Sequence, residues 1–303
     1  MKAAAFHSFG PPEVLQLVDL EAPHAGPGQV RVHVKAAGVQ PFDTAVRTGW
    51  QPPGASVKFP QIPGNEFAGV VDQTGEGVSG FSIGDEVLGY RILGCYAEYV
   101  VVPADQLVLK PQGMPWEEAA VLSASGQTAY TALRELEVGP GDTVLIHAAA
   151  GGVGTMAVQL AKAWGATVIG TASERNHDYL RSLGAIPVTY GDGLVARVRA
   201  LAPDGVDAAF DAIGGEALHA SVELVHSKNR IGTIVDHALA ERLGVRGIRS
   251  QRSAARLAEL VGLYVQGKLF VHVSGKYPLH QAAAAHRQVE SGHVRGKIVL
   301  TIG

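Results

Sequence analysis

The segment Thr143-Val144-Leu145-Ile146-His147-Ala148-Ala149-Ala150-Gly151-Gly152-Val153-Gly154 constrains this chain more than any other. Its apolar start reads as a buried strand, its run of small residues as a tight turn, and the following residues 156–162 as a helix. Strand, small-residue loop and helix in that order open a βαβ unit that cradles a dinucleotide. Ala149, Gly151 and Gly154 take the three small positions. The first makes the turn, the second lets a pyrophosphate approach the backbone, and the third lets the helix pack on the strand. Gly152 and Val153 complete the loop, and amides at the helix start face the phosphates with the helix dipole behind them.

Around this loop the chain has two rhythms. Residues 14–102 hold short apolar or alternating runs (14–20, 29–34, 68–73, 86–88 and 97–102), separated by Pro27-Gly28, Pro63-Gly64, Gly75-Glu76-Gly77 and Gly84-Asp85. That punctuation describes a compact, mostly-β domain. After Pro115 a helical stretch at 116–135 leads into strands at 143–147, 167–171, 186–189, 206–210, 230–235 and 245–248. They alternate with helices at 153–164, 176–183, 193–201, 215–225 and 253–266. Such alternation predicts right-handed crossovers and a doubly wound, parallel six-stranded Rossmann sheet. The last stretch, with a short strand, a helix near 280–290 and a strand at 297–301, is too small for a core of its own and returns to the first domain. The expected division is 1–121 with 269–303, and 122–268.

Composition narrows the function. With 303 residues and 47% hydrophobic content there is material for about two folded domains. A net charge of −3 gives no basic field for a nucleic-acid backbone. The single cysteine, Cys95, forms no internal disulfide or thiolate zinc cluster and points to a reducing, cytoplasmic setting. The start is too short in apolar residues for a secretory signal. Residues 143–161 are long enough to imitate a membrane span, but His147, Gln159 and the loop glycines argue against it.

Cofactor choice is read at the end of the second strand. An acid about 20 residues past the glycines favours NAD, and Glu174 stands at that count. Ser173 and Arg175 flank it with a hydroxyl and a guanidinium suited to a 2′-phosphate. The balance favours NADPH, with NADH the less favoured alternative. Catalytic metal is not expected: the twelve histidines form no ligand-like pair, and His280, His286 and His293 scatter around a helix. No Gly-x-Ser-x-Gly elbow is present.

The sequence resembles the zinc-independent quinone oxidoreductases, the zeta-crystallin-like branch of the medium-chain dehydrogenase/reductase superfamily, over nearly its whole length. The resemblance is carried by Gly10-Pro11-Pro12-Glu13-Val14-Leu15, Ala36-Ala37-Gly38-Val39-Gln40-Pro41-Phe42-Asp43, Ile62-Pro63-Gly64-Asn65-Glu66-Phe67-Ala68-Gly69-Val70-Val71, the glycine loop, and Gly292-His293-Val294-Arg295-Gly296-Lys297-Ile298-Val299-Leu300. It implies a GroES-like catalytic domain beside the Rossmann domain. Zinc-dependent relatives have cysteine where Gln40 stands and histidine where Asn65 stands, and their cysteine-rich lobe is absent between residues 88 and 97. Within the zinc-free branch, asparagine is usual at position 40 and tyrosine near Trp50-Gln51, so the substrate contacts of this chain differ in detail.

The resemblance further implies that Ser173, Arg175 and Tyr190 hold the adenosine phosphate. Phe42, Thr128, Ile213, Val235 and Lys297 join the cofactor-binding set. The expected chemistry is NADPH-dependent reduction of a quinone or an α,β-unsaturated ketone in a cleft between the domains. Gln40, Asp43 and Trp50 form the candidate substrate wall, with Asn65 beside them; Asp43 has the alternative role of a helix cap or ribose contact, and no catalytic acid is assigned. Two other readings stand: an enoyl reductase acting on an acyl thioester, and a catalytically idle NADPH-binding protein. By family analogy the protein is a homodimer paired near residues 245–248.

Overall fold

A computed structural model describes residues 1–303. Its contacts form two units, one of Met1–Ala124, Ser253–Gly262 and Val271–Gly303, the other of Ser125–Arg252 and Leu263–Phe270. The first unit opens with β1 (Lys2–Ala5) and β2 (Gln16–Asp19), paired antiparallel. Then comes β3 (Gln29–Val39), in which Val30, Val32 and Val34 alternate inward and every residue from Ala36 to Val39 is buried. The loss of alternation explains why the sequence pattern ends at 34 while the strand runs five residues further: small residues let both faces be covered.

A helix not expected from the sequence follows, α1 (Pro41–Arg47), with Pro41 in its first turn. Next are β4 (Glu66–Thr74), β5 (Glu86–Tyr90), β6 (Tyr99–Pro103), β7 (Leu107–Leu109) and the single turn α2 (Trp116–Ala119).

After α3 (Ser123–Glu135), the second unit runs β8 (Thr143–Ile146), α4 (Gly152–Ala163), β9 (Thr167–Ala172), α5 (His177–Ser182), β10 (Ile186–Thr189) and α6 (Leu194–Leu201). It continues with β11 (Ala208–Asp211), α7 (Glu216–Leu224), β12 (Ile231–Thr233), α8 (His237–Leu243) and β13 (Arg246–Gly247). The strands lie in the order β10-β9-β8-β11-β12-β13, and every pairing is parallel. The order reverses between β8 and β11, which creates a crevice beyond the C-terminal strand ends. Leu145, Ile169, Ala209 and Ile231 from the strands meet Val198 and Leu218 from the helices in the core. The sequence reading missed α8, although its limits have local causes. Asp236 caps it by accepting from the Leu239 amide at 3.0 Å, and Gly244 stops it in a left-handed conformation at φ 70°.

The chain closes with α9 (Ala254–Val265), β14 (Val273–Pro278), α10 (Ala282–Glu290) and β15 (Lys297–Thr301). β15 inserts between β14 and β3, completing a sheet in the order β14-β15-β3-β4-β5-β7 with β6 also on β3. Ile298 and Leu300 join Val32, Val34, Phe67 and Val100 in its core. In α9, a Cβ added at Gly262 would meet nothing within 4 Å. Gly262→Ala is expected to stabilise the protein by about 0.5–1 kcal/mol in urea unfolding, because alanine reduces the freedom of the unfolded chain. A neutral or destabilising result would show that the helix needs the glycine.

Candidate functional site

In the second unit the glycine loop leaves β8 and enters α4 with Gly151 as the N-cap, and no side chain bonds the first turn's amides. Gly151, Gly152 and Val153 are half-buried, within reach of a ligand. Gly154 is packed: a Cβ there would lie 2.2 Å from the Ala148 carbonyl oxygen and 2.6 Å from the Ala149 Cα. The tight turn differs from expectation by one position. Ala148, not Ala149, takes the left-handed conformation, with φ 52°. The Thr171 hydroxyl and carbonyl hold that turn by accepting from the Ala148 and Ala149 amides at 3.2 and 3.0 Å. Ala149 itself is buried close to Gly170, where a Cβ would come within 2.9 Å of the Ala149 methyl. Behind the loop, His147 is buried with Nε2 2.9 Å from the Ser221 hydroxyl, and desolvation pushes its pKa down to about 4 in spite of Asp211.

Neighbouring strand ends gather most of the other expected cofactor contacts. Ala172 and Thr189 are register partners, so Ser173 and Tyr190, each one residue further, leave β9 and β10 side by side. Ser173 is half-buried, and Arg175 and Tyr190 are exposed. Arg197, absent from the sequence reading, fixes the β10 loop by donating to the carbonyls of Thr189, Tyr190, Gly191 and Asp192. Beyond β11 and β12, Ile213 and Val235 are 61% and 52% exposed, unusual positions for such apolar side chains. Buried Asp211 shapes both loops: it accepts from the Ile213 and Gly214 amides and from the Thr233 hydroxyl at 2.6 Å, while that hydroxyl accepts from the Val235 amide. Thr128 is half-buried on α3.

In the first unit, Gln40, Asn65, Glu66 and Lys297 form one cluster. The Gln40 amide nitrogen donates to Glu66 Oε1 at 2.5 Å and to Asn65 Oδ1 at 3.3 Å. Lys297 Nζ is 3.0 Å from the same Glu66 oxygen, and the Ala124 amide donates to the other at 2.6 Å. Glu66 is fully buried, and Gln40, Asn65 and Lys297 nearly so. No group of three His, Cys, Asp or Glu side chains is placed to hold a metal. Gln40 is thus turned onto the carboxylate instead of lining an open wall.

Asp43 also departs from the expected wall. It is fully buried, with one oxygen accepting from the Gln40 amide and the Tyr96 hydroxyl, both at 2.9 Å, and the other from the Gly64 amide at 3.2 Å. It therefore anchors the start of α1. Burial raises its pKa to about 7 against the lowering effect of the Tyr96 and Gln40 bonds. Tyr96 continues to His286 Nε2, at 3.4 Å. Trp50, 46% exposed, stands edge-on to half-buried Phe42 at 5.3 Å, so this pair is the open aromatic surface among the expected contacts of the first unit. Sequence reasoning missed Glu66, Tyr96, His286 and Asp211. Glu66 alone carried a signal, as an acid at the start of an apolar strand beside Asn65.

Residues 26–112 match the alcohol dehydrogenase GroES-like domain, and residues 183–300 match the zinc-binding dehydrogenase family. A quinone oxidoreductase of Pseudomonas aeruginosa is 33% identical, with 99% of each chain covered. The chain belongs to the quinone oxidoreductase family. Within the medium-chain dehydrogenase/reductase superfamily, this family also explains the similarity to a 2-haloacrylate reductase of a Burkholderia species, 33% identical over 98% of each chain. The quinone oxidoreductase of Escherichia coli, solved in complex with NADPH, superposes with a TM-score of 0.88 at 29% identity, covering 99% of this chain and all of the other. The GroES-like and Rossmann folds of the quinone oxidoreductase family are the two sheets described above. No helix is long and apolar enough to cross a membrane.

Proposed function

We propose that the protein is an NADPH-dependent reductase of conjugated carbonyl compounds, quinones or α,β-unsaturated ketones, that works without zinc. The observation that carries this reading is the uncapped start of α4 at the switch point of a parallel sheet, with Ser173, Arg175 and Tyr190 on the two neighbouring strand ends. The cradle fits the cofactor. Half-buried glycines let a pyrophosphate reach backbone amides, and Gly154 keeps the helix close enough to aim them. When bound, NADPH supplies the hydride.

The chain's own residues bind, orient and exclude water. The loop amides take the phosphates, Arg175 and Ser173 suit a 2′-phosphate, and Ile213 and Val235 give apolar surface beyond the strand ends. The exposed Trp50 ring, braced edge-on by Phe42, offers an aromatic face to a planar acceptor. The donors near Gln40 do not suit zinc: two amides are bonded to each other, and the one carboxylate is already held by an ammonium. The names of the two relatives, a quinone oxidoreductase and a 2-haloacrylate reductase, support a conjugated acceptor. A homodimer paired through the open sheet edge at β13 fits the same reading.

The test follows NADPH and NADH oxidation at 340 nm with quinones, enones, an enoyl thioester and saturated ketones. Turnover is expected with quinones or enones and NADPH. Arg175→Ala should raise the KM for NADPH about tenfold and leave that for NADH within about twofold, as expected for loss of one charged hydrogen-bonding group. Absence of turnover with every conjugated acceptor would sink the reductase reading, and a dominant rate with the thioester would move it to the enoyl reductases. An equal effect of Arg175→Ala on both cofactors would remove the 2′-phosphate contact.

A further inference from the structure

Two loops of the second unit are tied to each other more closely than their strands require. β11 and β12 are already paired in parallel, with Phe210 opposite Gly232 and Asp211 opposite Thr233. A second set of bonds starts from that last pair. Asp211 Oδ1 accepts from the Ile213 and Gly214 amides, both at 3.0 Å, and Oδ2 accepts from the Gly214 amide at 3.0 Å and the Thr233 hydroxyl at 2.6 Å. The hydroxyl in turn accepts from the Val235 amide at 3.1 Å and the Asp236 amide at 3.3 Å. Its one hydrogen and both lone pairs are used, and both side chains are fully buried. Gly214 lets the loops come together: it has φ 83°, and a Cβ there would lie 3.1 Å from the Asp236 Cβ.

What this cross-link holds is apolar and open. Ile213 and Val235, one on each loop, are 61% and 52% exposed. A loose loop turns such side chains away from water, whereas a stiff one keeps them in the open at a set spacing, as a preformed apolar contact for a ligand requires. The strand order indicates which ligand. β9 and β10, with Ser173 and Tyr190 just past their ends, lie on one side of β8, and β11 and β12 lie on the other. A dinucleotide whose pyrophosphate rests on the glycine loop spans that switch point. With its adenosine 2′-phosphate over β9 and β10, its other half falls over β11 and β12.

We propose that Asp211 and Thr233 are positioning residues that fix these two loops at one spacing, so that Ile213 and Val235 receive the nicotinamide half of NADPH in a preset apolar clamp. The proposal rests on the cofactor reading above and adds how the reactive ring is oriented. Apolar side chains give a ring no directional bond, so its orientation depends on where the loop backbone holds them. That backbone is held by the bond from Thr233 to Asp211. Loss of the hydroxyl leaves the Val235 and Asp236 amides without their acceptor and frees the second loop from the first.

The experiment compares the native protein with Thr233→Val, which keeps the shape and loses the hydroxyl, and Thr233→Ser, which keeps the hydroxyl. Two ligands are titrated by calorimetry: NADPH, and adenosine 2′,5′-bisphosphate, which carries the phosphorylated adenosine end and no nicotinamide. The native protein should bind NADPH the more tightly. Thr233→Val should raise the Kd for NADPH about tenfold and leave that for the bisphosphate within about twofold, and Thr233→Ser should restore most of the loss. Fluorescence of the reduced nicotinamide gives a second readout. On the native protein its emission should move to shorter wavelength than that of free NADPH, and Thr233→Val should lose most of that shift. A role confined to holding the fold would lower thermal stability and change the two ligands alike or not at all.

Equal weakening of both ligands in Thr233→Val, native-like NADPH binding in that variant, or a Thr233→Ser protein as weak as Thr233→Val overturns the proposal. A native protein that binds the bisphosphate as tightly as NADPH also overturns it and leaves the glycine loop and Arg175 as the cofactor site, whereas one that binds neither ligand ends the cofactor reading as well. If NADPH binds with the expected split between variants but no conjugated acceptor is reduced, the reductase reading falls and the clamp stands.

Discussion

Gly154→Val is expected to abolish NADPH binding, raising its Kd by about 100-fold or more, and to lower stability by about 1–3 kcal/mol. The new Cβ would fall 2.2 Å from the Ala148 carbonyl oxygen, and 2.6 and 2.8 Å from the Cα and carbonyl carbon of Ala149. All three are backbone atoms, so no side-chain rotation can relieve the overlap. Either α4 retreats from β8 or the turn at Ala148 opens, and both move the amides that face the phosphates. Gly139→Val is the matched control, since a Cβ at Gly139 meets nothing within 4 Å. Fluorescence titration with NADPH and urea unfolding report the two effects. A folded Gly154→Val protein that binds NADPH as the native one does would remove the loop from the cofactor site.

The second large effect is pH-dependent and lies in the buried chain from Asp43 through Tyr96 to His286. Burial and then Arg47 push the His286 pKa from 6.5 down to about 3. Between those values the folded protein binds fewer protons here than the unfolded chain. The contribution is therefore complete above pH 6.5 and is lost as pH falls toward 3. Asp43 works the other way. Its pKa rises from 3.8 to about 7, so its contribution is complete below pH 3.8 and is lost as pH rises to 7.

Over their shared range, from 3.8 to 6.5, the two slopes oppose each other, each at up to ~1.4 kcal/mol per pH unit. His286→Leu removes one of them. Relative to the native protein, that variant should gain on the order of 1–2 kcal/mol in going from pH 8 to pH 5, measured by urea unfolding at each pH. An unchanged difference between the two pH values would mean that His286 is not a buried neutral imidazole. The unpartnered Nδ1 of His286 supports burial in that neutral form.

Much of the second unit was legible because its signals are local. Each strand but the exposed β13 (Arg246–Gly247) is a short, largely apolar run, each helix from α4 to α8 follows a glycine or polar turn, and the small-residue loop has one structural use in that setting. The first unit was harder to read. Ala36 to Val39 continue β3 without alternation, and α1 is only seven residues long. The site residues divide in the same way. Gly151 to Gly154, Ser173 and Tyr190 are placed by the order of strands, which the sequence predicts. Asp43 and Gln40 were expected on a substrate wall, but their side chains turn inward to partners 21 to 53 residues away. Nothing in local sequence announces a partner at that distance. Glu66 joins its ion-pair partner across most of the chain, and Lys297 stood in the sequence reading only as a neighbour of the cofactor.

The placement of β15 also dictates an order of assembly during synthesis. Every strand of the parallel sheet lies between residues 143 and 247, so that sheet has all its strands once the ribosome has passed β13. The other sheet was begun earlier but has a gap between β3 and β14 until residues 297–301 emerge. Until then Ala36–Val39 of β3 lack their partner strand, and Glu66 is a buried-to-be carboxylate without its cation. The half of the molecule that starts first therefore finishes last, and the interval between them is when a nascent chain of this protein most needs a chaperone.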